Sequence, residues 1–180
     1  PPEKKIMFQA RLQRRLRELD IQSFDEYAAK LFTNSNDSTE FNLLADFIST
    51  NKTEFFREKE HFHFLNGNIF PEYLKNSSST QFQELKLWSA GCSSGQEAYS
   101  IGIQLEELMR VNGVRFNYSI LATDISGKML KSAREAVYPM SQVDEIPLEL
   151  KHRYFLKSKN TKDQKVKVLS LIHISQGIVR

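Results

Sequence analysis

A glycine-containing loop and a later aspartate have the residue types needed to hold a nucleoside. The loop GCSSG covers residues 91–95, between a short apolar run and a helical stretch. Its glycines allow the backbone to approach a ligand closely, and the N-terminus of the following helix offers free N–H groups. Asp124 ends the next apolar run, where an acid can accept two hydrogen bonds from a ribose diol. A plain turn or a helix cap would explain either feature alone, but together they favour an adenosine-type ligand.

A second segment, TNKTEFFRE over residues 50–58, contains an arginine suited to orienting a carboxylate. Arg57 follows a polar loop and two phenylalanines, and a guanidinium can hold a carboxylate through two parallel hydrogen bonds. The ordinary alternative is a surface ion pair of Arg57 with Glu54 or Glu58. From the residues alone, both interpretations stay open.

Little in the chain indicates a metal site or a thiol nucleophile. His61 and His63 lie two residues apart on a predicted helix and therefore point to different sides of it. Cys92 is the only cysteine, which excludes an intrachain disulfide and a zinc cluster of several thiolates. No histidine lies near Cys92 in the sequence to activate its thiol. We therefore expect neither metal binding nor thiol chemistry.

The elements that must position these groups begin with helices. Apolar residues recur at spacings of three and four over residues 3–19, which predicts a first helix. Ser23 and Glu26 form a capping box for a second helix, and the apolar pattern between residues 41 and 48 predicts a third.

A fourth helix and a linker complete the first half of the chain. Thr53 is suited to cap a helix from residue 54 to about 65, which would place Arg57 about one turn inside it. The polar stretch 76–83 has linker composition. We therefore predict an all-helical domain over residues 1–75, followed by this linker.

The second half of the chain has the pattern of an α/β domain. In chain order we predict a strand at 85–90, a helix at 96–109, a strand at 118–123, a helix from Ser126 to about 136, and a last strand at 166–172. Strand, glycine loop, helix, strand and acid make a βαβ unit that belongs in a parallel sheet. Residues 84–180 are thus predicted to form an α/β domain with a parallel sheet.

The composition is typical of a soluble, reduced, cytoplasmic protein. The chain has 180 residues, 40% of them hydrophobic, and its 25 Lys+Arg exceed its 22 Asp+Glu by 25 − 22 = 3. That excess is too small to indicate a nucleic-acid-binding protein. No apolar run approaches the roughly 20 residues that cross a bilayer, and no signal-peptide core follows the N-terminus. We expect no membrane insertion and a monomer.

One cationic surface stands out from this modest net charge. Four arginines lie within seven residues of the first predicted helix, where they could dock an acidic helix or phosphates. A solvated helix face is the ordinary alternative. The four are Arg11, Arg14, Arg15 and Arg17.

Two separated strings of residues resemble the chemotaxis receptor methyltransferases, the CheR family. They are TNKTEFFR at 50–57, followed by HF at 61–62, and LWSAGCSSGQEAYS at 87–100. The resemblance extends to about residue 168. It implies a small N-terminal helical domain and a Rossmann-like domain that binds S-adenosylmethionine (SAM), with S-adenosylhomocysteine as the product. It also implies methylation of glutamate side chains on the cytoplasmic helices of chemoreceptors, which become the expected partner, and no nucleic acid.

The resemblance also implies roles for single residues. It implies that Asp124 holds the adenosine ribose. With glutamate as the expected acceptor, we hypothesise from its motif position that Arg57 orients the incoming carboxylate, and that four arginines of the first helix dock the acidic receptor helices. Catalysis would need no general base, because a glutamate with a pKa near 4.3 is ionised at neutral pH. The implied SAM contacts are Asn51, Thr53, Arg57, Ala90, Gly91, Gly95, Gln96 and Asp124.

The chain departs from the family pattern at two places. Gln96 and Ala98 stand where the family usually has a glutamate and a proline, and that glutamate is a cofactor contact in the family. Residues 169–175 do not resemble the family's continuation and resemble a translated sequencing adapter. We therefore predict a truncated or chimeric reading frame, an incomplete Rossmann-like domain, and a 180-residue chain that is itself inactive.

Two other functions remain as alternatives. A dinucleotide-dependent oxidoreductase would share the glycine loop and Asp124, but it would not explain the string at 50–57. A non-catalytic fragment that binds receptors or nucleic acid would explain the arginine-rich helix and the incomplete sheet.

Overall fold

The computed structural model describes residues 2–33, 38–76, 84–169 and 174–178. The chain divides into two compact units, and the first contains the residues up to Thr50 together with Ile125–Lys128. The second contains Asn51–Asp124 and the chain from Met129 onward. Residues 51–76 therefore belong to the second unit, whereas the sequence predicted a boundary at 76–83. Residues 77–83 lie outside the described residues, so the linker stays a prediction.

Three helices form the first unit, as their apolar spacing predicted. They are α1 (Pro2–Glu18), α2 (Phe24–Thr33) and α3 (Ser38–Ile48). Leu16, Ile21 and Tyr27 are its buried centre. Ser23 caps α2, because its hydroxyl accepts a hydrogen bond from the Glu26 amide at 3.1 Å.

The second unit opens with an irregular segment, where the predicted fourth helix was wrong at its start. The helix α4 (Lys59–Phe64) begins five residues later than predicted, so Arg57 lies in a turn before it. Phe55 is buried against the rings of Tyr138 and Phe155, at centroid distances of 5.0 and 5.4 Å. These long-range contacts outweigh the local preference for helix. A π-helix (Leu65–Ile69) and α5 (Phe70–Asn76) follow α4 directly.

The parallel sheet matches the predicted βαβ unit. β1 (Leu85–Ala90), α6 (Gln96–Asn112), β2 (Tyr118–Asp124) and α7 (Gly127–Glu135) follow in that order. β2 lies between β1 and β6 (Ile174–Ile178), and both pairings are parallel. Buried residues of α6 and β2, such as Ile103 and Ile120, belong to the main apolar core.

A second, antiparallel sheet lies between α7 and β6 in the sequence, and it was not predicted. Its strands are β3 (Val137–Pro139), β4 (Phe155–Lys157) and β5 (Lys165–Val168), in the order β3-β5-β4. The strand predicted at 166–172 is therefore shorter where it is described and pairs antiparallel, while residues 170–173 lie outside the described residues. A 3-10 helix (Met140–Val143) and α8 (Leu148–Tyr154) connect β3 to β4, and a 3-10 turn (Thr161–Asp163) precedes β5.

Candidate functional site

The loop after β1 is fixed to the end of the neighbouring strand. The amides of Gly91 and Cys92 both donate to the carbonyl oxygen of Thr123, at 2.8 and 2.9 Å. Ala90 and Thr123 are direct neighbours in the parallel register. The carboxyl ends of β1 and β2 therefore place the loop beside Asp124, at the edge of the sheet where open α/β folds bind ligands.

Asp124 contacts the loop directly. Its Oδ2 accepts a hydrogen bond of 2.7 Å from the Ser93 amide, and the residue is only 7% exposed. Ser93 has a φ of 49°, a left-handed conformation that is uncommon for a residue with a side chain. The bond between Asp124 and Ser93 thus ties the acid to a loop with an unusual backbone.

Two glycines of the loop are required for different reasons. Gly95 has a φ of 94°, and a Cβ there would lie 2.9 Å from the Cβ of Ala133, so glycine lets α6 pack closely on α7. Gly91 has a φ of 75°, but a Cβ there would meet nothing within 4 Å. The backbone at Gly91 therefore borders open space, which a ligand can approach closely.

Gln96, the first residue of α6, is held by two side chains. Its Oε1 accepts a hydrogen bond from Ser94 Oγ at 2.8 Å, and its Nε2 donates to Gln142 Oε1 at 3.1 Å. With 2% exposure, Gln96 has its amide paired on both sides.

The segment at 51–57 lies close to the loop through its backbone. The Asn51 carbonyl oxygen accepts a hydrogen bond from Ser93 Oγ at 3.2 Å. Arg57 is exposed, and its Nη1 donates to the Lys52 carbonyl oxygen at 3.0 Å. The ion pair of Arg57 with Glu54 or Glu58, which was the ordinary alternative, does not occur among the described residues, where Glu54 pairs with Lys52 and Glu58 with His61.

A cavity of about 690 Å³ lies next to this segment within the second unit. Thr53 is one of its lining residues, whereas Arg57 is not. Gln142 lines the same cavity, so one side chain contacts both this space and Gln96 of the glycine loop. Other lining residues include Phe56, Phe62, Gln104 and Leu150.

Comparison with known proteins identifies the family. Residues 1–49 match the family model described as the CheR methyltransferase all-alpha domain, and residues 51–175 match the one described as the CheR methyltransferase SAM binding domain. The chain belongs to the CheR methyltransferase family. The boundary between the two matches agrees with the division between compact units after Thr50.

Curated relatives of this CheR-family chain are named chemotaxis protein methyltransferases. The one from Borreliella burgdorferi is 39% identical over 93% of this chain and 59% of its own length. Chemotaxis protein methyltransferase 2 of Pseudomonas aeruginosa is 35% identical over 89% of this chain and 53% of its own. The Salmonella typhimurium protein is 32% identical over 92% of this chain and 53% of its own. The chain thus spans little more than half the length of these relatives.

The residues of the CheR-family site fit the cofactor named for the domain. SAM contains a ribose diol, for which Asp124 at the end of β2 is a suitable acceptor. The open space beside Gly91 allows close approach of the ligand to the backbone. Gly91 and Asp124, two of the residues that would hold SAM, therefore lie at the carboxyl edge of β1 and β2.

The surroundings of Cys92 do not activate its thiol. The side chain is buried within the loop, and burial together with the charge of Asp124 raises the pKa of its thiol to about 11. The thiol therefore stays protonated at neutral pH, in agreement with the sequence analysis.

The four arginines of α1 differ in how the first unit uses them. Arg11 donates to the Ser49 carbonyl oxygen at 2.9 Å, near the C-terminus of α3. Arg15 is 17% exposed and forms a bidentate pair with Glu40. Arg14 is 75% exposed and contacts only Glu18 among the described side chains, while exposed Arg17 donates to a carbonyl oxygen of its own helix. The predicted cationic surface thus contains two arginines with structural contacts to α3.

Two features are absent from the described ranges, a metal-binding cluster and a membrane-spanning helix. Within these ranges, no group of three or more His, Cys, Asp and Glu side chains is arranged to hold a metal ion. Among the same residues, no helix has both the length and the apolar character needed to span a bilayer.

Sequence analysis missed the residues that support the loop from outside the two signature strings. Tyr138 Oη donates to the Ser94 carbonyl oxygen at 2.7 Å, and Gln142 bonds to Gln96 as described above. Neither residue belongs to a motif. The available signal was that Tyr138 is an aromatic residue three positions after the end of α7, and large aromatic side chains are often part of a core.

Proposed function

We propose that this chain is the cofactor-binding part of a SAM-dependent protein-glutamate O-methyltransferase that acts on chemoreceptors. The observation that carries the proposal is the junction of the Gly91 loop with Asp124 inside the SAM-binding domain of the CheR family. The names of the relatives support a role in chemotaxis. On this proposal the protein works in the cytoplasm, as a monomer, on the cytoplasmic helices of its receptors.

The proposed methyl transfer needs no acid–base group, but it needs the methyl donor and the acceptor carboxylate to be held in alignment. Bound SAM supplies an electrophilic methyl group on a sulfonium. The acceptor glutamate has an ordinary pKa of about 4.3 and is already a carboxylate at neutral pH, so no side chain has to remove a proton from it. Because the reaction cancels two opposite charges, alignment and exclusion of water are what the protein contributes.

The residues are proposed to divide this work among them. Asp124 accepts hydrogen bonds from the ribose, while the backbone at Gly91 approaches the ligand and Gly95 keeps the helix α6 in place. Arg57 is proposed to orient the acceptor carboxylate, which its exposure and its position beside the cavity-lining Thr53 permit. The full set proposed to hold the cofactor is Asn51, Thr53, Arg57, Ala90, Gly91, Gly95, Gln96 and Asp124.

Calorimetry with three ligands tests the cofactor assignment. We expect the chain to bind SAM and S-adenosylhomocysteine and to give no binding heat with NAD. Binding of NAD but not SAM would replace the proposal with a dinucleotide-dependent oxidoreductase. Binding of a receptor peptide without either nucleotide would favour a non-catalytic receptor-binding protein.

Removal of the guanidinium of Arg57 tests its proposed role in the reaction. In a full-length relative, alanine at the position that corresponds to Arg57 should lower kcat about 100-fold at saturating SAM, because the acceptor carboxylate loses its bidentate partner. Methyl transfer to receptor is measured with radiolabelled SAM. Alanine at the position of the exposed Arg115 is the control, since among the described residues that side chain pairs with Glu106 alone, at 3.8 Å. Unchanged kcat in the Arg57 variant would contradict the assignment.

A further inference from the structure

Two side chains from outside the sequence strings at 50–57 and 87–100 form hydrogen bonds at the glycine loop, one to Ser94 and one to Gln96, which follows the loop. Tyr138 in β3 donates to the Ser94 carbonyl oxygen, and Gln142 in the following 3-10 helix accepts from Gln96 Nε2. We propose that Tyr138 and Gln142 are positioning residues for the cofactor site, because they hold the loop at residues 91–95 and the adjoining Gln96 in the conformation that SAM binds. The link to SAM rests on the proposed function, whereas the holding of the loop does not.

The backbone of the loop needs such support. Gly91, Ser93 and Gly95 all have positive φ, at 75°, 49° and 94°. A non-glycine residue such as Ser93 is strained in this region and persists only where the surroundings hold it. Bonds from β3 and the 3-10 helix supply restraint that the loop's own sequence does not.

Tyr138 is itself fixed, so its hydroxyl can act as a rigid contact. The side chain is 2% exposed, and its ring meets the edge of Phe55 at 5.0 Å and of Tyr99 at 6.3 Å between centroids. Burial raises the pKa of the Tyr138 hydroxyl, which therefore remains a proton donor. Through Phe55 and Ser94, one tyrosine contacts both signature strings.

Gln142 interacts with Gln96 as a hydrogen-bond acceptor, so the interaction requires a donor at position 96. Since Oε1 of Gln96 already accepts from Ser94 Oγ, its Nε2 is the group that faces Gln142 Oε1. An acceptor at position 142 is therefore complementary to a glutamine at position 96. Loss of that acceptor would leave a buried N–H donor without its partner.

The first test removes the Tyr138 hydroxyl and keeps its ring. We expect Tyr138→Phe to weaken SAM binding about 3- to 10-fold by calorimetry, because binding must then also order the loop. Without ligand, hydrogen exchange of the loop amides should become about tenfold faster, since local opening costs less free energy. Tyr118→Phe is the matched control, because Tyr118 Oη donates to Glu106 Oε1 at 2.9 Å, outside the loop. That control should lower the melting temperature similarly and leave the loop amides and SAM affinity unchanged.

The second test separates hydrogen bonding from packing at position 142. Gln142→Met keeps the length of the side chain but removes the acceptor, so it should weaken SAM binding about 3- to 10-fold. Gln142→Glu keeps an acceptor for Gln96 Nε2 and should restore affinity to within about twofold of the original. Equal affinities of the Met and Glu variants would overturn the role of Gln142.

The outcomes distinguish this inference from the proposed function. Unchanged loop exchange in Tyr138→Phe overturns the inference whether or not SAM binds. Faster exchange with unchanged SAM affinity also overturns it, since the loop would then need no positioning for the cofactor. If the unmodified chain fails to bind SAM while Tyr138→Phe still speeds loop exchange, the holding of the loop is supported and the proposed function is what fails.

Discussion

At the scale of single residues, the two loop glycines show how similar backbone angles can serve different purposes. A Cβ at Gly95 would lie 2.9 Å from the Ala133 Cβ and 3.2 Å from the Tyr99 ring, so the missing side chain is a packing requirement. Gly91 has open space around it and is constrained only by its φ. Gly95 therefore serves the fold, while Gly91 leaves room for a ligand.

Alanine substitutions should separate these two roles. Gly95→Ala should lower the free energy of unfolding by about 2–4 kcal/mol, from a left-handed backbone penalty and an overpacked contact with Ala133. Gly91→Ala should lose only about 1–2 kcal/mol, from the backbone alone. Urea titrations measure both. For SAM affinity the folded Gly91→Ala protein should be the weaker of the two, because the new methyl group occupies the open space.

A double variant provides the control for this comparison. Removal of the opposing Cβ by Ala133→Gly should make Gly95→Ala less costly in the double variant than in the single one. Strictly additive losses of unfolding free energy would show that the contact with Ala133 is not what makes Gly95 necessary.

At the scale of elements, the helices and parallel strands with strong local patterns could be predicted closely. β1 and β2 are short apolar runs that end at a glycine and an aspartate, and the structure places both within a residue of the prediction. The antiparallel sheet could not be predicted, because two of its strands have three residues each and their pairing depends on distant partners. The turn at 53–58 was predicted as helix because the burial of Phe55 is also decided by residues far along the chain.

The candidate site likewise contains residues that could be predicted from the sequence and residues that could not. The loop at 91–95 and Asp124 could be predicted as neighbours, since parallel strands bring their carboxyl ends to one edge of the sheet. Tyr138 and Gln142 could not, because their contacts with the loop depend on where the second sheet lies. The irregular backbone around Arg57 was likewise not predicted, because residues 54–65 have a helical pattern in the sequence.

An ion-pair cluster joins α6 to α8, and it makes a prediction about acid stability. Burial works to raise the pKa of Glu107, but hydrogen bonds from Arg110, Tyr154 and Arg153 outweigh it and hold that pKa at about 2. A carboxyl whose pKa is lowered by folding stabilises the protein above its unfolded pKa. That contribution is lost as the pH falls from about 4.5 towards 2.

Glu107→Gln should therefore lower the free energy of unfolding less in acid than at neutral pH. We expect the variant to lose about 2–3 kcal/mol of unfolding free energy at neutral pH, and this loss should shrink by at least about half as the pH approaches 3. Urea titrations at several pH values measure the difference. Glu135→Gln, at the exposed end of α7, should show no such trend. A loss from Glu107→Gln that is constant across the pH range would contradict the account.

At the scale of the whole molecule, the chain has a net charge of +3, but the arginines of α1 differ in whether they form structural contacts or lie exposed. Arg11 and Arg15 bond within the first unit, where Arg15 and Tyr27 both donate to Glu40 and hold the pKa of that carboxyl below its usual range. Their substitution would disturb folding before it revealed any docking role. Only Arg14 and Arg17 present charge whose removal tests association alone.

Neutralising those two arginines should weaken association with an acidic helical peptide taken from a chemoreceptor methylation region. For Arg14→Gln/Arg17→Gln we expect the Kd to rise about three- to tenfold at low salt, because exposed charges contribute a few tenths to about 1 kcal/mol each. Salt screens such charges, so the difference should fall to within about twofold when the ionic strength reaches roughly 0.5 M. Fluorescence anisotropy of the labelled peptide measures both. Lys131→Gln/Lys162→Gln removes the same net charge from exposed positions of the second unit and should leave the Kd within about twofold at low salt. If the lysine control weakens binding as much as the arginine variant, net charge and not the α1 surface attracts the receptor.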